Sequence, residues 1–316
     1  MSPLALLGID GGGTTTTAWL ADEAGTVRAR GCGGPSNIKA VGPEAALRAL
    51  GEAIAQAFAE AGSAPHPVEV ACLGLAGFDR PEDKELLGGW AEQGRWARRL
   101  VLVNDGDLVV AAGTAQGWGV GVISGTGSIA VGRSRDGRTT RAGGWGHLIG
   151  DEGSGYAVAL AALRHVARRA DGRERHPSSR DLLTECLCEA MGITGPAQLV
   201  SRLYDPDFDR PRVAALAPVV VAAARDDPEI EVEILEPAGR DLGEMVVAVA
   251  HALGWDEADD VAELPLALAG GFLLSAPSVS GALLRALEDE GYPAVAMEVP
   301  QPVRGAILLA RKAMHE

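Results

Sequence analysis

A glycine turn that occurs twice, each time in the same setting, constrains this chain more than any other feature. The first copy is Leu6-Leu7-Gly8-Ile9-Asp10-Gly11-Gly12-Gly13-Thr14, running into the apolar Ala18-Trp19-Leu20, a polar turn at Asp22 to Gly25, and Val27 to Arg30. The second is Gly121-Val122-Ile123-Ser124-Gly125-Thr126-Gly127-Ser128, running into Ile129-Ala130-Val131, a turn at Asp136-Gly137, and Arg138 to Ala142. Asp10 aligns with Ser124, Gly11 with Gly125, Gly13 with Gly127 and Thr14 with Ser128. Short apolar runs broken by glycine and aspartate turns read as three successive strands. An internal repeat of this size settles the architecture before any single element does.

The parallel continues downstream. A helix from Gly42 to Ala61, with Leu47, Leu50, Ile54 and Phe58 along one face, follows the first set of strands. Next comes the buried strand Val68 to Gly77, matched in the second half by Leu264 to Gly271; both end on small residues. Leu100 to Val103 enters Asn104-Asp105-Gly106-Asp107 and a helix through Ala112; its counterpart is Ala294 to Val299 followed by a helix from Val303 to Ala313. Each half therefore reads as three strands, then helix, strand, helix, strand, helix. The class is α/β, with two related domains facing each other across a cleft: 1–115, and 116–304 with a helical insertion over about 155–253. The C-terminal helix, about 305–316, is placed to pack back on the first domain. A chain of 316 residues is long enough for two cores.

The net charge of −15 excludes a nucleic-acid binder, which needs a basic stripe to displace counterions. With Lys39, Lys84 and Lys312 as the only lysines, a bound phosphate would be held by backbone amides and metal. The beginning of the chain lacks a basic stretch and meets glycines too early for a signal peptide, and no apolar run reaches membrane-spanning length. A cytoplasmic protein follows. Cys32, Cys72, Cys186 and Cys188 form no CxxC pair and read as reduced, structural thiols.

Three places carry chemistry. In Asp10-Gly11-Gly12-Gly13-Thr14 the glycines let amides approach phosphate, Asp10 offers a carboxylate to Mg²⁺, usually through water, and the Thr14 hydroxyl can donate to a phosphate oxygen. Ser124 to Ser128 lacks a carboxylate and would hold phosphate by amides and hydroxyls. The P-loop and Rossmann patterns are both absent. Asn104-Asp105-Gly106-Asp107 puts carboxylates at a strand's C-terminal end, where they face a crevice. Asp105 suits the base that takes a proton from an attacking hydroxyl, with Asp107 as the helix cap. The glycine-dense Gly143 to Tyr156 offers Trp145 and Asp151 to a sugar, while His147 reads as a hydrogen-bonding residue that holds the loop. Asn37, in Pro35-Ser36-Asn37, is one of only two asparagines and shares that distinction with Asn104.

Together DGGGT at Asp10, NDGD at Asn104, GVISGTGS at Gly121, GGWGHLIGDEGSG at Gly143 and LAGGF at Leu268 resemble the N-acetylglucosamine kinases. More broadly they resemble the group of kinases and activator ATPases related to benzoyl-CoA reductase and 2-hydroxyacyl-CoA dehydratase activators. The resemblance implies the actin-like, ribonuclease H-like ATPase fold, ATP and Mg²⁺ as cofactors, and transfer of the γ-phosphate to the 6-hydroxyl of an amino sugar. It implies Asp105 as the catalytic base and Asn37, Ser128, Gly144, Trp145, Gly146 and Asp151 as sugar contacts. Gly12, Gly13, Thr14 and Thr126 would contact ATP, Gly270 and Gly271 its adenosine side, and Asp10 would lie near Mg²⁺. The family often forms homodimers, although nothing in this sequence demands one. Cys186-Leu187-Cys188 is unlike the cluster-binding cysteines of the activators, and the zinc-binding cysteines of ROK-family sugar kinases are absent. Glucosamine and N-acetylmuramic acid stand as alternative acceptors, and an ATPase that drives a partner protein as the alternative activity.

Overall fold

The computed structural model describes residues 4–77, 81–173, 181–255 and 263–316. The chain divides into two compact units: 1–119 with 301–316, and 120–300.

Unit 1 opens with β1 (Leu6–Gly11), β2 (Thr16–Ala21) and β3 (Val27–Gly33), then α1 (Ile38–Val41) and α2 (Pro43–Glu60). It continues with β4 (Val68–Leu75), α3 (Pro81–Gly94), β5 (Ala97–Asn104) and α4 (Asp105–Gly113). The sheet order is β3-β2-β1-β4-β5, with β1 antiparallel to β2 and parallel to β4. β1 lies in the middle, so Leu6, Leu7 and Ile9 are buried on both faces, as a continuous apolar run predicts. On one face α2 buries Ala46, Ala49, Leu50, Ala53, Ile54, Ala57 and Phe58, spaced three and four apart. Its alanine stripe lets the helix backbone press on β3: a Cβ at Gly31 would fall 2.1 Å from the Ala53 carbonyl oxygen.

Unit 2 repeats the scheme. β6 (Gly119–Ser124), β7 (Ser128–Arg133) and β8 (Thr139–Gly143) lead into a helical stretch. Its helices are α5 (Gly155–Ala170), α6 (Leu182–Met191), α7 (Leu199–Leu203), α8 (Arg210–Ala214), α9 (Ala217–Ala223), α10 (Pro228–Ile230) and α11 (Glu236–Ala252). Then follow β9 (Leu264–Ala269), α12 (Gly271–Ser275), α13 (Pro277–Asp289) and β10 (Ala294–Glu298). The sheet order β8-β7-β6-β9-β10 is that of unit 1, strand for strand. The core of unit 2 runs from Val120 and Val122 through α5, α9 and α11 to Leu266, Leu283 and Leu287.

The last helix, α14 (Val303–His315), belongs to unit 1. Its Val303, Ala306, Ile307, Ala310 and Ala313 share a core with Leu6, Trp19, Cys72 and Leu108. Burial there, with Asp107 nearby, pushes the Cys72 thiol up to about 12, so Cys72 behaves as a packed hydrophobe.

Candidate active site

In unit 1 the β1–β2 turn is fastened from below and open above. The Gly12 amide donates to the Thr15 carbonyl at 3.0 Å, and the Gly12 carbonyl accepts from the amides of Ser36 and Asn37 at 3.0 and 3.2 Å. The buried Thr16 hydroxyl donates to the Gly34 carbonyl at 2.7 Å and shares a hydrogen bond with the Ser36 hydroxyl at 2.8 Å. These bonds tie the loop carrying Asn37 to the turn, a role for Thr16 and Ser36 that sequence reasoning did not assign. Asn37 itself caps α1, accepting from the Lys39 amide at 3.0 Å, and its side chain rests against Gly77 just past β4. Gly13, Thr14 and Thr15 are exposed. Gly13 has no left-handed φ and no atom within 4 Å of where its Cβ would be. Neither backbone strain nor packing requires glycine there.

Asp105 is the first residue of α4, directly after β5, and its Oδ1 accepts from the Gly106 amide at 2.9 Å. The cap assignment differs from the sequence expectation. Asn104 is the N-cap, and Asp107 sits three residues on, closing a capping box by accepting the Asn104 amide at 3.1 Å. Asn, Asp and Asp are all good caps, so composition alone could not rank them; the backbone at Asn104 is extended (φ −78°, ψ 156°), which makes it the residue outside the helix. The reassignment leaves Asp105 outside the capping box. Burial, and then the Asp105 carboxylate, push the Asp10 carboxyl up to about 7. Two carboxylates, one of them desolvated, form a donor set whose ionisation a divalent cation would stabilise. Mg²⁺ on phosphates uses one or two carboxylates, so these residues fit it.

In unit 2 the equivalent turn is braced inward. Ser124, at the position of Asp10, is fully buried and donates to the Gly153 carbonyl at 2.8 Å. The Gly125 amide donates to the Gly127 carbonyl at 2.9 Å and the Gly125 carbonyl accepts from the Gly155 amide at 2.8 Å. Gly270 follows β9 at φ +97°, where a Cβ would fall 2.2 Å from the Ser124 carbonyl oxygen; only glycine fits. Gly271 opens α12 with free space around it.

The segment 143–155 wraps the same turn. The Gly144 amide donates to the Ser128 carbonyl at 3.0 Å, and the Ser128 hydroxyl donates to the Glu152 carbonyl at 2.5 Å. Trp145 is 67% exposed, with the Arg141 guanidinium 5.9 Å from its ring, and neighbouring Gly146 has φ +83°. His147 packs edge-on to Tyr156. Asp151 has a left-handed backbone (φ +65°), strain of about 1–3 kcal/mol that its surroundings must hold in place. Its buried carboxylate accepts the Ser128 amide at 3.3 Å and pairs with Arg210 from α8. Arg210 also reaches the carbonyl of Thr126 at 3.5 Å. Sequence reasoning missed Arg210, because an arginine beside Asp209 and Pro211 signals a helix start and nothing more.

Among the described residues the predicted positions thus form two groups. Asp10, Gly12, Gly13, Thr14, Asn37 and Asp105 lie in unit 1; Thr126, Ser128, Gly144, Trp145, Gly146, Asp151, Gly270 and Gly271 lie in unit 2. No group of three or more His, Cys, Asp or Glu side chains among them could hold a metal ion alone.

Two sheets of one strand order, each with a glycine turn beside its central strand, define the actin-like, ribonuclease H-like ATPase fold. Within that class, the chain belongs to the BadF/BadG/BcrA/BcrD ATPase family, whose model matches residues 7–310. It is 33% identical to an N-acetyl-D-glucosamine kinase of Dictyostelium discoideum over 98% of both chains. It is 32% identical to an N-acetylmuramic acid/N-acetylglucosamine kinase of Clostridium acetobutylicum over 78% of this chain and 80% of that one. Among solved structures, a candidate N-acetylglucosamine kinase from Chromobacterium violaceum superposes with a TM-score of 0.73 at 30% identity, over 98% of this chain and 100% of the other. Family membership makes ATP the nucleotide. No helix among the described residues is long and apolar enough to cross a membrane.

Proposed function

We propose that the protein is an amino-sugar kinase that transfers the ATP γ-phosphate to the 6-hydroxyl of N-acetylglucosamine or a close relative. The observation that carries the reading is the carboxylate pair of unit 1. Asp105, at the mouth of β5, stands beside an Asp10 whose charge is costly until a cation is present. Phosphoryl transfer to an alcohol asks for that combination, a base for the hydroxyl proton and a carboxylate for the metal on the phosphates. The full-length similarity to an N-acetyl-D-glucosamine kinase supports the choice of acceptor.

In this reading Asp105 orients the sugar hydroxyl and accepts its proton as the oxygen attacks the γ-phosphorus. The bond to the β-phosphate oxygen breaks, and ADP leaves. The backbone of the Gly12–Gly13 turn and the Thr14 hydroxyl hold phosphate oxygens, with Thr126 contributing from the second turn. Gly270 and Gly271 let the adenosine side approach the backbone. Mg²⁺, held through Asp10, would neutralise polyphosphate charge. Asn37, Ser128, Gly144, Trp145, Gly146 and Asp151 contact the sugar. We place the reaction in the cytoplasm, where ATP is available; a homodimer is the assembly that the family resemblance suggests.

A coupled assay of ADP release across N-acetylglucosamine, glucosamine, N-acetylmuramic acid and N-acetylmannosamine tests the proposal. Turnover should require a sugar and should be fastest with N-acetylglucosamine. Slow hydrolysis that no sugar stimulates would instead indicate an ATPase that drives a partner.

A further inference from the structure

Asp151 is supported by a residue from far along the chain. Its Oδ1 holds the Ser128 amide and its Oδ2 holds the guanidinium of Arg210, the first residue of α8 in the helical insertion. Asp151 keeps a left-handed φ of +65° while its side chain is only 4% exposed. An ionised carboxylate so buried requires a partner, and Arg210 is the charge that supplies one. The same guanidinium lies 3.5 Å from the Thr126 carbonyl and 5.9 Å from the centre of the Tyr156 ring, which in turn takes His147 edge-on. The side chain of Arg210 is 35% exposed, so it reaches the carboxylate from the surface of the unit. One side chain therefore ties together the second glycine turn, the 143–155 segment and the insertion.

We propose that Arg210 is a positioning residue for sugar recognition, acting through Asp151. A carboxylate offers about four lone-pair sites, and the two protein partners take two of them. The pair with Arg210 sets the plane of the carboxylate, and the remaining lone pairs are left to sugar hydroxyls. The inference rests on the amino-sugar kinase reading above. It adds that the insertion, which carries none of the residues assigned to ATP, determines how well the acceptor binds.

The experiment compares Arg210→Ala, Arg210→Lys and Asp151→Asn with the double variant Arg210→Ala/Asp151→Asn, using N-acetylglucosamine as the probe. Circular dichroism and thermal unfolding establish that each is folded. Arg210→Ala should raise the KM for N-acetylglucosamine by roughly 10-fold or more and the KM for ATP by much less, because the charged hydrogen bond lost is the one to Asp151, whereas the contact with the Thr126 carbonyl is long, at 3.5 Å. Arg210→Lys, which keeps the charge but not the planar fork, should recover part of the loss. In the Asp151→Asn background, Arg210→Ala should cost little more, since residues acting as a unit are not additive. An unchanged sugar KM in Arg210→Ala, additive losses in the double variant, or equal losses for sugar and ATP would each overturn the proposal. Should Arg210→Ala fail to fold, a wild-type sugar KM in Arg210→Lys together with undiminished sugar binding in Asp151→Asn would do the same. A wild-type enzyme that phosphorylates no amino sugar would instead sink the functional reading itself.

Discussion

The two glycine turns stand on the same scaffold and handle charge in opposite ways. In unit 1 the strand position before the turn is Asp10, and the helix after the edge strand begins with Asp105, so two acidic groups interact there. In unit 2 the matching position is Ser124, fully buried and spent on the Gly153 carbonyl, and β10 runs into Pro300 and Pro302 before the next helix. The acid that unit 2 does carry, Asp151, is already paired with Arg210. The same strand order thus carries two interacting acids in one unit and an acid paired with an arginine in the other. On the proposed reading the first turn serves the metal nucleotide and the attacking hydroxyl, and the second, braced by its own hydrogen bonds, keeps its groups in fixed positions.

The contrast can be broken first at Asp105. Asp105→Asn should lower kcat by roughly 10²- to 10⁴-fold with little change in the KM for ATP, read by steady-state kinetics. Near-normal turnover would show that the charge of unit 1 is not the catalytic one. Asp10→Ser, which gives unit 1 the residue of unit 2, should reduce Mg²⁺-dependent kcat/KM for ATP about 10- to 100-fold, the usual effect of losing a group that binds metal through water. The reciprocal Ser124→Asp should bring no new metal dependence, because that position is turned inward.

Smaller effects sharpen the picture. Gly270→Ala puts a Cβ against the Ser124 carbonyl at a left-handed backbone and should destabilise unit 2 by about 1–3 kcal/mol, visible in thermal unfolding. Gly13→Ala meets neither obstacle and should leave stability within about 0.5 kcal/mol while raising the KM for ATP. A further contrast is in pH dependence. Asp10 has its folded pKa raised from 3.8 to about 7, so between those values the folded state holds a proton that the unfolded state has lost. Stability of the nucleotide-free protein should therefore decline as pH rises from about 4 to about 7, then level off. Asp10→Asn should flatten that slope in equilibrium denaturation, and Mg²⁺ should shift the titration downward.

Much of this was legible because the signals are local. Strand alternation, glycine turns and the order of elements repeat within short windows, and Asp105 announces itself by following an apolar strand. What was hidden depended on geometry that sequence spacing does not encode. Asn104, Asp105 and Asp107 compete for one cap, and only the backbone angles choose between them. Arg210 lies 59 residues from Asp151, beyond any periodicity, and its neighbours advertise only a helix start. Trp145, a sugar candidate by residue type, is mostly exposed, as are Leu148 and Ile149, a property that an apolar residue type by itself does not reveal.

The return of α14 to unit 1 has a consequence for the order of folding. Unit 2 can complete its own core with everything between Val120 and Pro300, but unit 1 cannot, because the layer over Leu6, Trp19 and Leu108 is encoded after unit 2. The fit is close: a Cβ on Gly305 would fall 2.0 Å from the Leu108 carbonyl oxygen, so no other side chain substitutes for that contact. During synthesis the first-made domain is therefore the last to be finished, and its exposed apolar face stays a target for chaperones or aggregation until the final helix docks.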